Sequence, residues 1–309
     1  MPAILFLIAA MSFTGANVPF GKIVVESVSV YHVLLFRFTV AACALLCVTG
    51  RPGIRRLAGL QLRDWLDIAV LAGVGSVLFT VFLLEGTRRT SAVDAGIITA
   101  TLPAAVAILS VVVLRHVLSR AAMICIALAA IGLIVMQAGS ADVGAASLTG
   151  NGLVAMAVLC EATFVLVSRR VSARLRPTDL SLAVSALSAA MALPFALPGL
   201  SLTVLADVPL WVWLLATWYA LSASVFCTVL WYAGVGRVPP WQAGLATAAL
   251  PVTAMVVSVM VLNESLSAFQ VGGAVLVIGA ICAGALIPAR SQTPNRAHRM
   301  RENQNDRGL

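Results

Sequence analysis

EGTRRTSAVDAGIITATLP (Glu85 to Pro103) and AGVGRVPPWQAGLATAALP (Ala233 to Pro251) align without a gap when the chain is shifted by 148 residues. Similarity at a fixed internal offset marks a repeated structural unit. The same shift brings Ser110 onto Ser258, Leu114 onto Leu262, LRHVLS onto LNESLS, Trp65 onto Trp213 and Lys22 onto Arg170. The chain therefore reads as a first repeat over 1–138, a linker over 139–149 within GSADVGAASLTGN, a second repeat over 150–287, and a polar, basic tail over 288–309.

Working outward from the repeat, the composition decides the solvent. Hydrophobic residues make up 61% of the 309, charged residues 10%, and the mean hydropathy is +1.02. A soluble domain lacks the polar shell to cover that much apolar surface, and here the apolar residues come in runs of about 20, the length that crosses a bilayer. Ten such runs are read: about 2–22, 30–49, 65–85, 92–114, 120–138, 150–168, 178–197, 210–232, 240–262 and 267–287. Backbone polar groups in hydrocarbon must be satisfied within the segment, so each run is expected to be a helix. The first lacks a basic lead and a small-residue cleavage site, and is read as a retained helix rather than a signal peptide. Soluble enzymes and disordered regulators are excluded.

The net charge of +8 does not indicate nucleic acid, because the basic residues lie in short loops between apolar runs. With the amino terminus inside, sixteen basic residues fall on the cytoplasmic side, from Arg51 through Arg307, against Lys22, Arg88 and Arg89 outside. That asymmetry places both termini in the cytoplasm, and the tail is expected to be disordered near an anionic leaflet. An odd number of crossings per repeat turns the second copy upside down relative to the first. The expected fold is an all-α polytopic membrane protein with ten transmembrane helices as two inverted five-helix repeats, the plan of secondary transporters, with a substrate site near the midplane. The six cysteines all fall within apolar runs without metal-ligand spacing and read as small fillers.

The chain resembles the EamA-type transporters of the drug/metabolite transporter superfamily. The likeness rests on Gly15, Asn17 and Lys22 in the first helix and Phe36-Arg37 in the second. It continues in Ala95 to Pro103, its repeat Ala243 to Pro251, and Leu262-Asn263-Glu264-Ser265-Leu266 followed by Gly272 and Gly279. It covers about 5–287 and departs from the family at Thr14, in place of a tryptophan, and at His116, in place of a glutamate. The resemblance implies a gradient-coupled carrier in the inner membrane, commonly an exporter, for amino acids, other metabolites or toxic compounds.

Glu161 is the sharpest candidate, since a carboxylate about ten residues into the sixth helix is too deep and too short to reach water. Low dielectric disfavours its charged form, so it can take up and release a proton. The reading is a proton-coupling or substrate-ammonium site; the alternative is a group that pins helix packing. Arg37, at similar depth in the second helix, is expected either to pair with Glu161 or to extend to the outer surface. Asn17 is a cavity candidate, because an amide in hydrocarbon needs a partner. Lys22, expected at the carboxyl end of the first helix, and its mate Arg170 read as anchors.

Pro103 and Pro251, inside the fourth and ninth helices, are expected to bend them and to serve as hinges. Gly96, Thr99, Gly244 and Thr247 would line a path beside them. Trp218 and Tyr219 lie deep enough to stack on a substrate or its ammonium group, with packing against lipid as the alternative. Glu85, Asp94, His116 and Glu264 read as solvated or capping groups. GANVPFGKI (Gly15 to Ile23) is not a phosphate loop: it has one residue too many between its glycines and Ile23 where a hydroxyl is needed. No cofactor or metal is expected. The expected partners are a small-molecule substrate, membrane lipid and a second copy of the chain in a homodimer. The rivals are a lipid-linked sugar or nucleotide-sugar carrier on the same fold and a non-transporting receptor. An intramembrane enzyme lacks a nucleophile or metal cluster at depth.

Overall fold

The computed structural model describes residues 2–115, 118–138, 147–198, 208–262 and 266–287. His116, Glu264, most of the linker and the tail lie outside them. The described residues are all helical or connecting, with no strand among them. Nine of their helices are long and apolar enough to cross a membrane, and a further pair, Asp94–Ala100 and Leu102–Val113, is bent by 40° at its join.

In chain order α1 comprises Pro2–Ala16 and Val18–Ser27, α2 is Val30–Ala58, α3 is Leu62–Thr87, and α4 comprises Ala92–Ala100 and Leu102–Leu114. Then follow α5 (Arg120–Ala138), α6 (Leu148–Ser172), α7 (Pro177–Ala196) and α8 (Leu210–Val235). The last two are α9, comprising Pro240–Thr247 and Ala249–Leu262, and α10 (Ala268–Leu286).

Two boundaries differ from the sequence expectation. α1 runs past Lys22 to Ser27, so that lysine is inside a helix and the charge–dipole role at a carboxyl end does not apply. The helix is interrupted instead at Asn17, where Pro19 has no amide to bond the Gly15 carbonyl. α2 kinks at Gly50, whose φ of +58° suits glycine, and 51–58 continues as a helical turn carrying Arg51, Arg55 and Arg56 rather than as a loop.

The helices pack in couples related by the 148-residue shift. α1 lies on α8 and α9 as α6 lies on α3 and α4, while α2 packs on α7, α4 on α9 and α5 on α10. Close approach comes from small residues: a Cβ on Gly132 would meet the Gly273 carbonyl across α5 and α10, and one on Gly244 would meet Val106 across α9 and α4. Large side chains face outward, among them Val112, Ile124, Met260 and Val275. Apolar residues outside and alanine, serine and glycine inside is the arrangement a lipid solvent favours. Cys43, Cys47 and Cys282 are on the outward surface, and Cys125, Cys160 and Cys227 are buried; all six are free.

Two further irregularities also correspond under the shift. α3 widens into a π turn over Gly73–Leu78, and α8 does so over Ser222–Phe226. α4 breaks at Thr101 and α9 at Ala248. Each break falls just ahead of a proline, Pro103 or Pro251, which therefore sits in the first turn of a second half-helix. An N–H is not missed there, because the first-turn amides of a helix have no carbonyl of their own helix to bond.

Candidate functional site

The interior between α1, α2, α6 and α8 holds the polar side chains that the apolar sequence makes conspicuous. Glu161 lies thirteen residues after Leu148 and eleven before Ser172, so α6 carries it close to its own middle. At 1.5 Å per residue that is about 20 Å from one end and about 17 Å from the other. Phe164 and Ser168 share its face. Phe164 stacks at 6.1 Å on Trp231 and is tilted at 6.3 Å to Tyr232, both of α8. Gly75, in the π turn of α3, leaves the room that the Phe164 ring fills. The Ser168 hydroxyl accepts from Trp231 Nε1 at 3.2 Å, fixing the register of α6 and α8. Tyr232 is within the electrostatic reach of Glu161.

No hydrogen bond or ion pair to Glu161 is found among the described residues, and the expected pair with Arg37 is not formed. The Arg37 guanidinium instead donates from Nη1 to the Tyr219 hydroxyl at 3.1 Å and lies over the Phe38 ring at 4.7 Å. Its Nε is buried without a partner. The physical reason is depth and packing. Arg37 is only seven residues into α2 and Glu161 thirteen into α6, a difference of about 9 Å at helical rise. α2 packs mainly on α7 and α8.

Asn17 is brought to this region but is fully occupied. It is 3% exposed, its Nδ2 donates to the Phe13 carbonyl at 2.7 Å, and its Oδ1 accepts from the Ser222 hydroxyl at 2.7 Å. The break in α1 is thus tied to the π turn of α8. The next residues of α8 diverge: Tyr219 faces the interior and holds Arg37, while Trp218 is 59% exposed on the outward surface. Thr14 spends its hydroxyl on the Ala10 carbonyl at 2.9 Å.

Thr99 and Thr247 behave alike. Each donates to the carbonyl of the glycine three residues back, Gly96 at 3.0 Å and Gly244 at 2.6 Å. A Cβ on Gly96 would collide with Gln137, and Thr247 is 6% exposed. This face is therefore closed by helix packing and is not an open path. Pro103 and Pro251 stand beside it, at the breaks.

Sequence reasoning did not single out Tyr232, Ser222 or the ion pairs at one end of the bundle. There, Asp179 is held by Arg56 through two bonds of 2.6 and 2.9 Å, joining α7 to α2. Arg170 pairs with Asp67, and Arg174 approaches Asp64 at 3.5 Å. Arg63, Leu66, Asp67, Arg170 and Arg174 line a recess of about 330 Å³.

The model of the EamA-like transporter family matches residues 1–137 and 148–283. Uncharacterized transporter YetK of Bacillus subtilis (strain 168) is 33% identical over 289 residues, covering 91% of this chain and 86% of the relative. Uncharacterized transporter YyaM of the same organism is 27% identical over 292 residues, covering 92% and 93%. A crystal structure superimposes with a TM-score of 0.77 at 16% identity, covering 93% of this chain and 99% of its own; it speaks to the fold alone.

Proposed function

The chain belongs to the EamA-like transporter family, a multi-pass protein of the cell membrane, and from that premise we propose that it is a secondary transporter exporting a small zwitterionic metabolite such as an amino acid in exchange for protons. The architecture proposed is ten spans in two inverted halves with both termini cytoplasmic. It is supported by the matched packing couples, the paired π turns and the paired breaks beside Pro103 and Pro251.

The observation that carries the reading is an unpaired carboxyl in the middle of a span, Glu161, with an incompletely satisfied guanidinium, Arg37, about 9 Å nearer one surface. An amino acid presents the complementary groups, set closer together than that offset, and the long Arg37 side chain would cover the rest. Its carboxylate would meet Arg37, held in place by the Tyr219 hydroxyl, and its ammonium would meet Glu161. A proton and the ammonium then compete for one carboxylate, so binding of either releases the other, which is the condition for exchange. Rocking of the halves about the α4 and α9 breaks would expose this site to each side in turn.

Cells expressing the wild type should survive toxic amino-acid analogues that kill control cells, and cells expressing Glu161→Gln should not. Equal protection by the two, with equal membrane expression, would remove the coupling role of Glu161. Protection against cationic drugs alone would replace the amino-acid substrate with a cation.

A further inference from the structure

Hydroxyl groups inside helices of this protein ordinarily return to their own backbone. Ser110 donates to Ala107 at 2.7 Å, Ser168 to Val165 at 3.0 Å, and Thr228 to Ser224 at 2.7 Å. Four hydroxyls on α7 and α8 do not. Ser181, Ser188, Ser224 and Tyr232 are 1%, 0%, 0% and 2% exposed, and their oxygens have no hydrogen-bond partner. A buried hydroxyl without a partner is costly, and native proteins meet that cost almost everywhere with protein groups or ordered water. Four such groups in one region of a lipid-embedded bundle call for water between them.

Their placement is ordered. Glu161 is eleven residues before the end of α6, Ser224 eleven before the end of α8, and Ser188 eleven after the start of α7. The Trp231–Ser168 bond holds α6 and α8 in that register. Ser188 and Ser224 are thus level with Glu161. Tyr232, three residues from the end of α8, extends its ring back along the helix toward that level, as helical side chains do. Ser181 lies two residues beyond Asp179, close to the end where α7 begins. α7, which packs mainly on α2, also meets the π turn and the following segment of α8 as well as α6, so the four groups lie on helices that touch one another.

We propose that Ser188, Ser224, Tyr232 and Ser181 line a chain of water molecules that conducts protons between Glu161 and the end of the bundle carrying Arg170 and Asp179. This rests on the coupling role given to Glu161 above. A proton entering at that end is passed inward as each water or hydroxyl accepts one proton and gives up another. It comes to rest on the Glu161 carboxylate, and the return trip reverses each transfer.

The groups that face Glu161 leave the path unopposed. On α6 itself these are Cys160 and, lower down, Arg169 and Arg170; on α8 it is Tyr232. On α3, Asp64 and Asp67 are committed to Arg174 and Arg170, and Glu85 at the far end to Arg89. Asp94 opens α4 at that same far end, α9 carries no ionisable side chain, and Asp179 of α7 is held by Arg56. Glu161 is therefore the one acidic side chain in the middle of the bundle among the described residues.

The test is infrared spectroscopy of the full chain in liposomes after a switch from H2O to D2O. The carboxyl band of Glu161 is the one absent from Glu161→Gln. It should shift within the mixing time in the wild type. In a variant combining Tyr232→Phe, Ser188→Ala and Ser224→Ala the shift should be at least tenfold slower. A slow shift in the wild type, or an equally fast one in the combined variant, overturns the path. As a check that does not depend on that variant folding, Tyr232→Phe alone, which keeps the ring and its packing, should slow the shift. Leu221→Ala, on the outward surface, should not. An unchanged rate in Tyr232→Phe also overturns the path. Fast exchange together with undiminished transport by Glu161→Gln supports the path and overturns only the coupling role.

Discussion

At the end of the bundle that carries Arg56 and Arg170, opposite charges join different helices, whereas at the end that carries Glu85 the ion pairs among the described residues stay within a single stretch of chain. Arg56 with Asp179 links α2 to α7, and Asp67 and Asp64 with Arg170 and Arg174 link α3 to α6 and the turn after it. At the other end Glu85 pairs with Arg89, four residues on, and neighbouring helices are held, among the described residues, by hydrogen bonds rather than ion pairs. Those are His32 to the Ala196 carbonyl at 3.0 Å, Thr90 to Asn151, and the long approach of Tyr31 to Glu85 at 3.4 Å. A carrier that opens to one side at a time needs one end held while the other is loose. The difference teaches which end has its helices tied to one another by charge.

The largest effect is expected from Asp179. Its carboxylate is 3% exposed and accepts two charge-assisted bonds at the start of α7, where the helix dipole also favours a negative charge. Asp179→Ala should destabilise the protein by about 2 kcal/mol, read as a lower unfolding temperature of the purified chain. The loss is limited because Arg56, 39% exposed, can turn to water. No change would mean that α2 and α7 are held by apolar packing alone and that the charged end is not a clamp.

A smaller effect follows from the second pair of ties. Arg170 and Arg174 have side chains 58% and 59% exposed, so each contact should contribute only about 0.5 kcal/mol and weaken in high salt. Arg170→Ala with Arg174→Ala should therefore leave folding nearly intact yet move the balance of open and closed states. Labels on α3 and α6 near Asp67 and Arg170 should separate in the variant and, in the wild type, at raised ionic strength. If the distances stay fixed, the ion pairs do not gate this end.

The repeat and the apolar runs were legible in the sequence because both are linear properties: a fixed offset needs only alignment, and a span needs only about 20 residues without charge. The breaks near Pro103 and Pro251 were legible only in place: proline marks the spot, but each sits in the first turn of a second half-helix rather than inside a continuous one. What failed depended on which face of a helix looks inward. Trp218 and Tyr219 are adjacent in a helix apolar on every side, and nothing in their spelling says that Tyr219 turns to Arg37 and Trp218 outward. The Arg37–Glu161 pair failed because α6 begins at Leu148 rather than 150 and because helix neighbours are not encoded in depth alone. The π turns are disguised as ordinary small-residue stretches, GVGSVL and SASVF. The four unspent hydroxyls emerge only when each bond is accounted for.

The smallest effect is expected from Glu85, and it sharpens the comparison by what it leaves alone. Glu85→Gln removes a pair in which Arg89 is 48% exposed and both partners belong to the same turn of chain. Such a local pair contributes about 0.3 kcal/mol, and the amide keeps an oxygen for the Tyr31 hydroxyl. Unfolding temperature and transport should both stay within error of the wild type, in contrast to Asp179→Ala at the opposite end. A loss comparable to that of Asp179→Ala would show that the Tyr31–Glu85 contact joins α2 to α3 as firmly as Arg56 joins α2 to α7. The two ends would then be equally tied, and their charges would no longer set them apart.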